Sequence, residues 1–251
     1  GAIWLGGRGA KGLARFDYVG ERWTLHQLDQ VARSERAGGV GQDRDGILWF
    51  GTDMGPHCYD GRSWSRAAEL SGSAIQVDAD SDGAVWLLGQ VPGVPSLALI
   101  RDARARSPLR SPTGGAVRTA VRTAGGHLWV ATSDSRLFRL VDDSWVQESI
   151  QGLPRAIHAL AVTTDGSLWV GGSSDVVKRR LPTGNWTSYA VQSSRQVTDL
   201  LASPDTGLWM AHGLEGGGIT RLRPDGTAVG YTFHDGLIND EVHALAQAPD
   251  G

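Results

Sequence analysis

The sequence predicts an all-β chain assembled from repeated four-stranded units, and three observations carry that prediction. First, one phrase keeps returning. Asp45-Gly46-Ile47-Leu48-Trp49-Phe50-Gly51-Thr52 comes back as Asp82-Gly83-Ala84-Val85-Trp86-Leu87, as Gly125-Gly126-His127-Leu128-Trp129-Val130, as Asp165-Gly166-Ser167-Leu168-Trp169-Val170-Gly171-Gly172 and as Thr206-Gly207-Leu208-Trp209-Met210. A further copy opens the chain, Gly1-Ala2-Ile3-Trp4-Leu5-Gly6-Gly7, and another begins at Asp250-Gly251. Second, the marking tryptophans (Trp4, Trp49, Trp86, Trp129, Trp169 and Trp209) are spaced by 45, 37, 43, 40 and 40 residues, the period of a repeat architecture. Third, the chain holds 35 glycines without collagen periodicity, as many tight turns between short strands require.

Each copy unfolds into four segments. The first is an apolar-alternating run about 12 residues before the tryptophan: Val117–Val121, Ile157–Ala161, Val197–Leu201 and Val242–Ala246, with shorter forms Val40-Gly41-Gln42 and Ile75-Gln76-Val77. Alternation with β-branched residues predicts a strand, and the Asp-Gly or Gly-Gly that follows predicts a hairpin turn. The tryptophan segment is the second strand, and the small pair after it, Gly-Gly or Gly-Thr, is expected to open the next turn. The third strand is clearest in Gly12-Leu13-Ala14-Arg15-Phe16-Asp17, and recurs at Gly55–Asp60, Arg136–Leu140 and Gly218–Leu222. The fourth carries an aromatic: Trp23, Trp64, Trp145, Trp186 and Tyr231. The third copy is irregular, with Val91-Pro92-Gly93-Val94-Pro95 in its middle and no aromatic near Leu109. All ten tryptophans take repeat positions, six on second strands and four on fourth strands, so they are expected to be core. No segment of convincing length shows a helical period.

Four short strands per roughly 40 residues predict a β-propeller of antiparallel blades, six repeats in this chain. One four-stranded sheet cannot bury both faces alone, so blades stack, and a recurring tryptophan fills each gap, burying about 150–250 Å². Residues 1–251 are expected to form a single propeller domain cut from a longer protein, because both ends fall inside the repeat. The N-terminus supplies a second strand and the run Glu241–Gln247 a first strand. These two would pair in a six-bladed ring closed by its termini. Alternatively, the chain is an incomplete seven-bladed propeller.

Net charge is −3 with 20% charged residues, which gives no sign bias toward nucleic acid or an anionic membrane. Cys58 is the only cysteine, which excludes an intrachain disulfide and a thiolate metal cluster. No apolar run reaches the roughly 18 residues that span a bilayer, so membrane attachment would come from segments outside this sequence.

Several motifs invite chemistry. Gly7-Arg8-Gly9-Ala10-Lys11-Gly12 matches G-x-G-x-x-G, but a dinucleotide site needs its last glycine to open a helix, and a strand is expected there. Asp78, Asp80 and Asp82 match the D-x-D-x-D-G start of a calcium loop, in which alternating carboxylates converge on a hard cation. The twelfth position, where a bidentate Glu belongs, is Gly89, and a hairpin turn explains the same residues, so no cofactor is expected and calcium is the alternative. No H-E-x-x-H or G-x-S-x-G pattern supplies a metal site or a nucleophile. One repeat position of the first strand is polar in five copies, with Gln76, Arg118, His158, Thr198 and His243, and these residues are the predicted ligand-binding ring.

The repeats resemble the two-component regulator propeller repeat, which runs Gly-Leu-Pro-x-Asn-x-Val-x-Ala-Ile, then Asp-Gly-x-Leu-Trp-(Val/Ile)-Gly-Thr, then Gly-Leu-x-Arg-(Tyr/Phe)-Asp. Asp45–Thr52 matches the second part, Gly12–Asp17 the third, and Gly152-Leu153-Pro154 and Gly236–Leu245 the first. This resemblance implies a non-catalytic sensory, ligand-binding domain of a two-component signalling protein with a histidine kinase elsewhere. It also implies a periplasmic or extracellular location, a small-molecule or saccharide ligand, and seven blades rather than six. Streptogramin lyases also repeat Asp-Gly-x-Leu-Trp but continue Phe-Thr-Glu, which none of the copies here does. A lyase-type propeller enzyme and a protein-interaction or self-associating scaffold are the alternatives.

Overall fold

The structure is a computed structural model describing residues 2–5, 12–17, 20, 22–27, 37–43, 45–52, 55–66, 74–79, 85–89, 97–100, 106–109, 111–113, 117–123, 125–191, 196–203, 207–213 and 217–245. Its strands fall into two compact units, Gly1–Val117 and Arg118–Gly251.

The first unit holds three antiparallel sheets whose strands follow chain order. One is three-stranded: β1 (Ala2–Leu5), β2 (Gly12–Asp17) and β3 (Arg22–Gln27). The second is β4 (Ala37–Gln42), β5 (Leu48–Thr52), β6 (His57–Tyr59) and β7 (Trp64–Arg66). The third is β8 (Ala74–Ala79), β9 (Val85–Gly89), β10 (Leu97–Ile100) and β11 (Arg106–Leu109). The irregular third copy is thus a complete sheet, with Pro108 on its edge strand, where a missing N–H is tolerated. Gly12 opens β2 and not a helix, which removes the dinucleotide reading of Gly7–Gly12. Trp49 is wholly buried and packs with Cys58, Val77 and Val85, so it fills the space between β5 and the following sheet. Phe50 points the other way and meets Trp64 at 5.2 Å between ring centroids.

The second unit repeats the plan three times. The sheets are β12 (Val117–Arg122), β13 (Leu128–Thr132), β14 (Leu137–Val141) and β15 (Ser144–Glu148); β16 (Ile157–Val162), β17 (Leu168–Gly172), β18 (Val176–Arg180) and β19 (Trp186–Ala190); and β20 (Val197–Ser203), β21 (Gly207–His212), β22 (Ile219–Leu222) and β23 (Ala228–Tyr231). Every residue of β13 and β17 is buried, whereas β15 and β19 have none buried. The tryptophan strand therefore lies inside and the fourth strand at the outer edge. Trp129 packs on Ile157, Leu160 and Leu168 of the next sheet, and Trp169 on Val197, Leu200 and Met210 of the one after. This stacking supplies the second buried face that an isolated sheet lacks.

The hairpin between first and second strands is a three-residue loop. Thr163 N donates to Ser167 O (3.0 Å), Gly166 N donates to Thr163 O (2.8 Å), and Gly166 stands at φ 78°. That left-handed residue is what the Asp-Gly phrase encodes. The glycines after the tryptophan do something else. Gly171 and Gly172 lie inside β17 and do not open a turn. A Cβ on Gly171 would fall 2.8 Å from Val197 of the next sheet, and one on Gly172 would fall 1.9 Å from the Ala156 carbonyl. These glycines let backbone and neighbouring sheet approach.

The C-terminal run also differs from expectation. Glu241–Leu245 forms no strand, because among the described residues it has no antiparallel partner to build a ladder. It lies beside β20 and the end of β21 instead: Val242 N donates to His212 O (2.8 Å) and Leu245 N to the Asp199 carboxylate (2.8 Å). Ala246 and Gln247 lie outside the described residues. Among the described residues there is no α-helix, only a 3₁₀ turn at Phe233–Asp235, and no helix long and apolar enough to cross a membrane.

Candidate functional site

The first strands carry a β-bulge near their start. Pairing of β16 with β17 shifts register between Ile157 and Ala159, and pairing of β20 with β21 shifts between Val197 and Asp199. His158 and Thr198 are the extra residues, released from the ladder, and bulges re-aim side chains in this way. In the third copy the shift falls between Ala74 and Gln76. Ile75 is therefore the residue equivalent to His158. Gln76 pairs with Leu88 as Ala159 pairs with Gly171, so it stands one place along the strand from the bulge.

In the second unit the bulges gather a polar patch. Arg118, exposed on β12, places Nη1 2.9 Å from His158 Nδ1. His158 Nε2 lies 3.0 Å from Ser173 Oγ and 2.6 Å from the Gln196 amide. A guanidinium only donates, so Nδ1 carries the lone pair and the proton sits on Nε2. Nε2–H then donates to Ser173, and the Gln196 amide fits with its oxygen toward the ring. Burial, and secondarily the Arg118 charge, hold His158 below its ordinary value, so the neutral ring is favoured.

Of the predicted ring, then, Arg118 and His158 meet directly. Thr198 is nearby in the fold but turned away, its hydroxyl 2.7 Å from Val242 O and 3.2 Å from Ala211 O. His243 is exposed and faces Glu241 at 3.1 Å. Ser173 and Gln196 lie outside the predicted ring. Both flank repeat segments, one just after β17 and one just before β20, which is the signal that could have found them.

The predicted metal residues divide. Asp78 is on β8, and Asp80 and Asp82 lie outside the described residues. Asp80 precedes Trp86 by the same interval as Asp43 precedes Trp49. Asp43 is a buried turn residue whose carboxylate accepts from Asp45 N (3.0 Å), Ile47 N (2.9 Å) and Trp49 Nε1 (2.8 Å).

A second polar network lies at the opposite, hairpin end of β16 and β17. Asp165 accepts from the Thr163 hydroxyl (2.6 Å), from Ser167 N and Oγ (3.0 Å each) and from Arg179. Burial works to raise this carboxyl, but the bonds from Thr163, Ser167 and Arg179 outweigh it and bring it to about 2. Arg179 also donates to Tyr189 Oη (3.2 Å) and covers Trp169 at 5.2 Å from its ring centroid. These residues, with Ser203, Leu208 and Leu222, border a cleft of about 200 Å³ between the last two sheets.

No family model matches the chain, and no curated protein matches it in sequence. Solved structures do match. YCF48 bound to D1 peptide superposes with a TM-score of 0.69 at 20% identity, over 94% of this chain and 80% of that one. A catalytically inactive histidine-to-alanine form of virginiamycin B lyase from Staphylococcus aureus, with quinupristin, gives 0.68 at 15% identity over 84% and 74%. PorZ, a surface component of the type-IX secretion system of Porphyromonas gingivalis, gives 0.68 at 16% identity over 98% of this chain and 42% of its own. These neighbours are β-propeller proteins, some of them enzymes and others not. The chain has the β-propeller fold.

Proposed function

We propose that this chain is a non-catalytic recognition propeller, the sensory part of a two-component signalling protein on the periplasmic or extracellular side, and that it takes an oxygen-rich small ligand such as a saccharide on the Arg118–His158–Gln196–Ser173 patch. The orientation of His158 carries the reading. A serine–histidine hydrolytic pair needs an unprotonated Nε2 facing the hydroxyl and a carboxylate behind Nδ1. Here Nδ1 faces a guanidinium, which places the proton on Nε2 and leaves no base for Ser173. What the patch offers is a set of hydrogen-bond donors and acceptors with an exposed cation, the equipment of a binding site. The signalling role rests on the repeat motifs alone.

A scaffold role is the second reading, favoured by the likeness to YCF48 bound to a peptide over 94% of this chain. The test is an oligosaccharide array read with the wild-type chain and Arg118→Ala, together with incubation with quinupristin. Saccharide binding weakened at least about tenfold by Arg118→Ala, without turnover of quinupristin, is expected. Turnover abolished by His158→Ala would replace the reading by an enzymatic one, and an array without a single hit would favour the scaffold.

A further inference from the structure

We infer that the cleft between the β12–β15 and β16–β19 sheets, at the hairpin end and away from the Arg118–His158 patch, is a binding site for a small carboxylate. Its organising residue breaks the repeat. In each sheet, one residue of the third strand pairs across to the tryptophan: Arg15, Cys58, Leu99, Arg139, Arg179 and Arg221. The next residue along is Phe16, Tyr59, Ile100, Leu140, Arg180 and Leu222. Five of the six are apolar, and Leu222 is buried in the core between the last two sheets. Arg180 alone puts a charge where the fold asks for a hydrophobe.

That charge stands over the neighbouring tryptophan. Arg180 lies 5.1 Å from the Trp129 ring centroid, and Arg139 lies 5.7 Å from the same ring. Two cations therefore share one buried indole. Arg139 faces Glu148 at 3.6 Å. Beyond the Trp129 ring, the Arg180 side chain has neither an ion pair nor a hydrogen bond among the described residues. The Nε of Arg180 is buried without a hydrogen-bond partner, and that of Arg139 is the atom turned toward Glu148. A half-buried guanidinium with an unused donor favours an anion, and its planar fork matches a carboxylate in bidentate fashion. The cleft that Arg139 and Arg180 line measures about 390 Å³, within the range of small-molecule sites, and His127, Thr123 and Thr164 at its walls add polar contacts. The Asp165 carboxylate at its rim is already held by Arg179 and does not answer Arg180.

The test is calorimetric titration of the full chain with galacturonate, with N-acetylglutamate and with sulfate, repeated on Arg180→Leu, Arg180→Lys and Arg118→Ala. Arg180→Leu restores the residue type of Leu140 and Leu222, so it keeps the fold, and its melting temperature checks that. Binding of either carboxylate is expected, stronger than that of sulfate, lost by at least about tenfold in Arg180→Leu and reduced less in Arg180→Lys, with N-acetylglutamate binding unchanged in Arg118→Ala. Preference for galacturonate points to a sugar acid and preference for N-acetylglutamate to an amino-acid carboxylate; both support the site. Carboxylate binding that survives in a folded Arg180→Leu, sulfate binding as strong as carboxylate binding, or no carboxylate binding up to roughly 50 mM would overturn it.

Discussion

Asp43 and Thr163 occupy the same place in two hairpins and reach the same group, the indole N–H of the tryptophan on the next strand, by different chemistry. Asp43 does it alone: one buried carboxylate takes the indole at 2.8 Å and the amides of Asp45 and Ile47. Thr163 accepts from the indole of Trp169 at 3.2 Å and donates its own hydroxyl hydrogen bond to Asp165, which accepts from the amide of Ser167. The same turn is closed by a buried anion in one sheet and by a hydroxyl relay to a rim anion in the other. The difference has a consequence for the surface. A buried Asp43 serves only the turn, whereas Asp165 at the rim also holds Arg179 over Trp169.

The sharpest way to break the comparison is to exchange the final residues of the two tryptophan strands. β5 ends in Thr52, buried, with its hydroxyl donating to Gly55 O, and β17 ends in Gly172 at the corresponding place. Gly172→Thr copies the first sheet into the second and drives a Cβ to 1.9 Å from Ala156 O. Backbone must move, and a loss of about 3 kcal/mol or more in urea unfolding is expected. Unchanged stability would mean that the two sheets differ less than they appear in register. Next comes Asp43. Asp43→Ala strands three donors in a buried turn and should lose about 2–3 kcal/mol. Asp43→Thr rebuilds the other solution, since Asp45 already stands where Asp165 stands, and should lose only about 1 kcal/mol. Equal losses for the alanine and threonine variants would show that the hydroxyl relay does not transfer.

Much of this was readable from residue order, and the parts that were not share a cause. Strand periodicity and the tryptophan phase place every sheet, because alternation and turn chemistry are local properties of the chain. The bulk limits at Gly171 and Gly172 are not local. They come from Val197, Leu200 and the Ala156 carbonyl, so a reading that saw only small residues took them for a turn. Arg118 and His158, which the sequence places at one repeat position, touch in the fold. In the third copy the bulge falls on Ile75 and not on Gln76, and Ile75 precedes Trp86 by the same interval as His158 precedes Trp169. Ser173 and Gln196 escaped the predicted ring because they belong to no repeat position, and only the fold brings them to His158.

The mildest change isolates the rim anion. Asp165 titrates at about 2 in the folded chain against an ordinary 3.8. The folded value is the lower one, so folding favours the ionised form. Its contribution is complete above the ordinary value and is lost as pH falls toward about 2. The side chain is 48% exposed, so solvent screens much of the attraction to Arg179, and the contribution is under about 1 kcal/mol. Asp165→Asn keeps the shape and an amide oxygen for Ser167 N while removing the charge. Urea midpoints followed from neutral pH into acid should show the variant weaker near pH 6, with the gap to wild type closing toward pH 2. A gap that stays constant across that range would mean that Asp165 acts through its hydrogen-bonding shape. The division between a buried anion at Asp43 and a rim anion at Asp165 would then be one of position and not of charge.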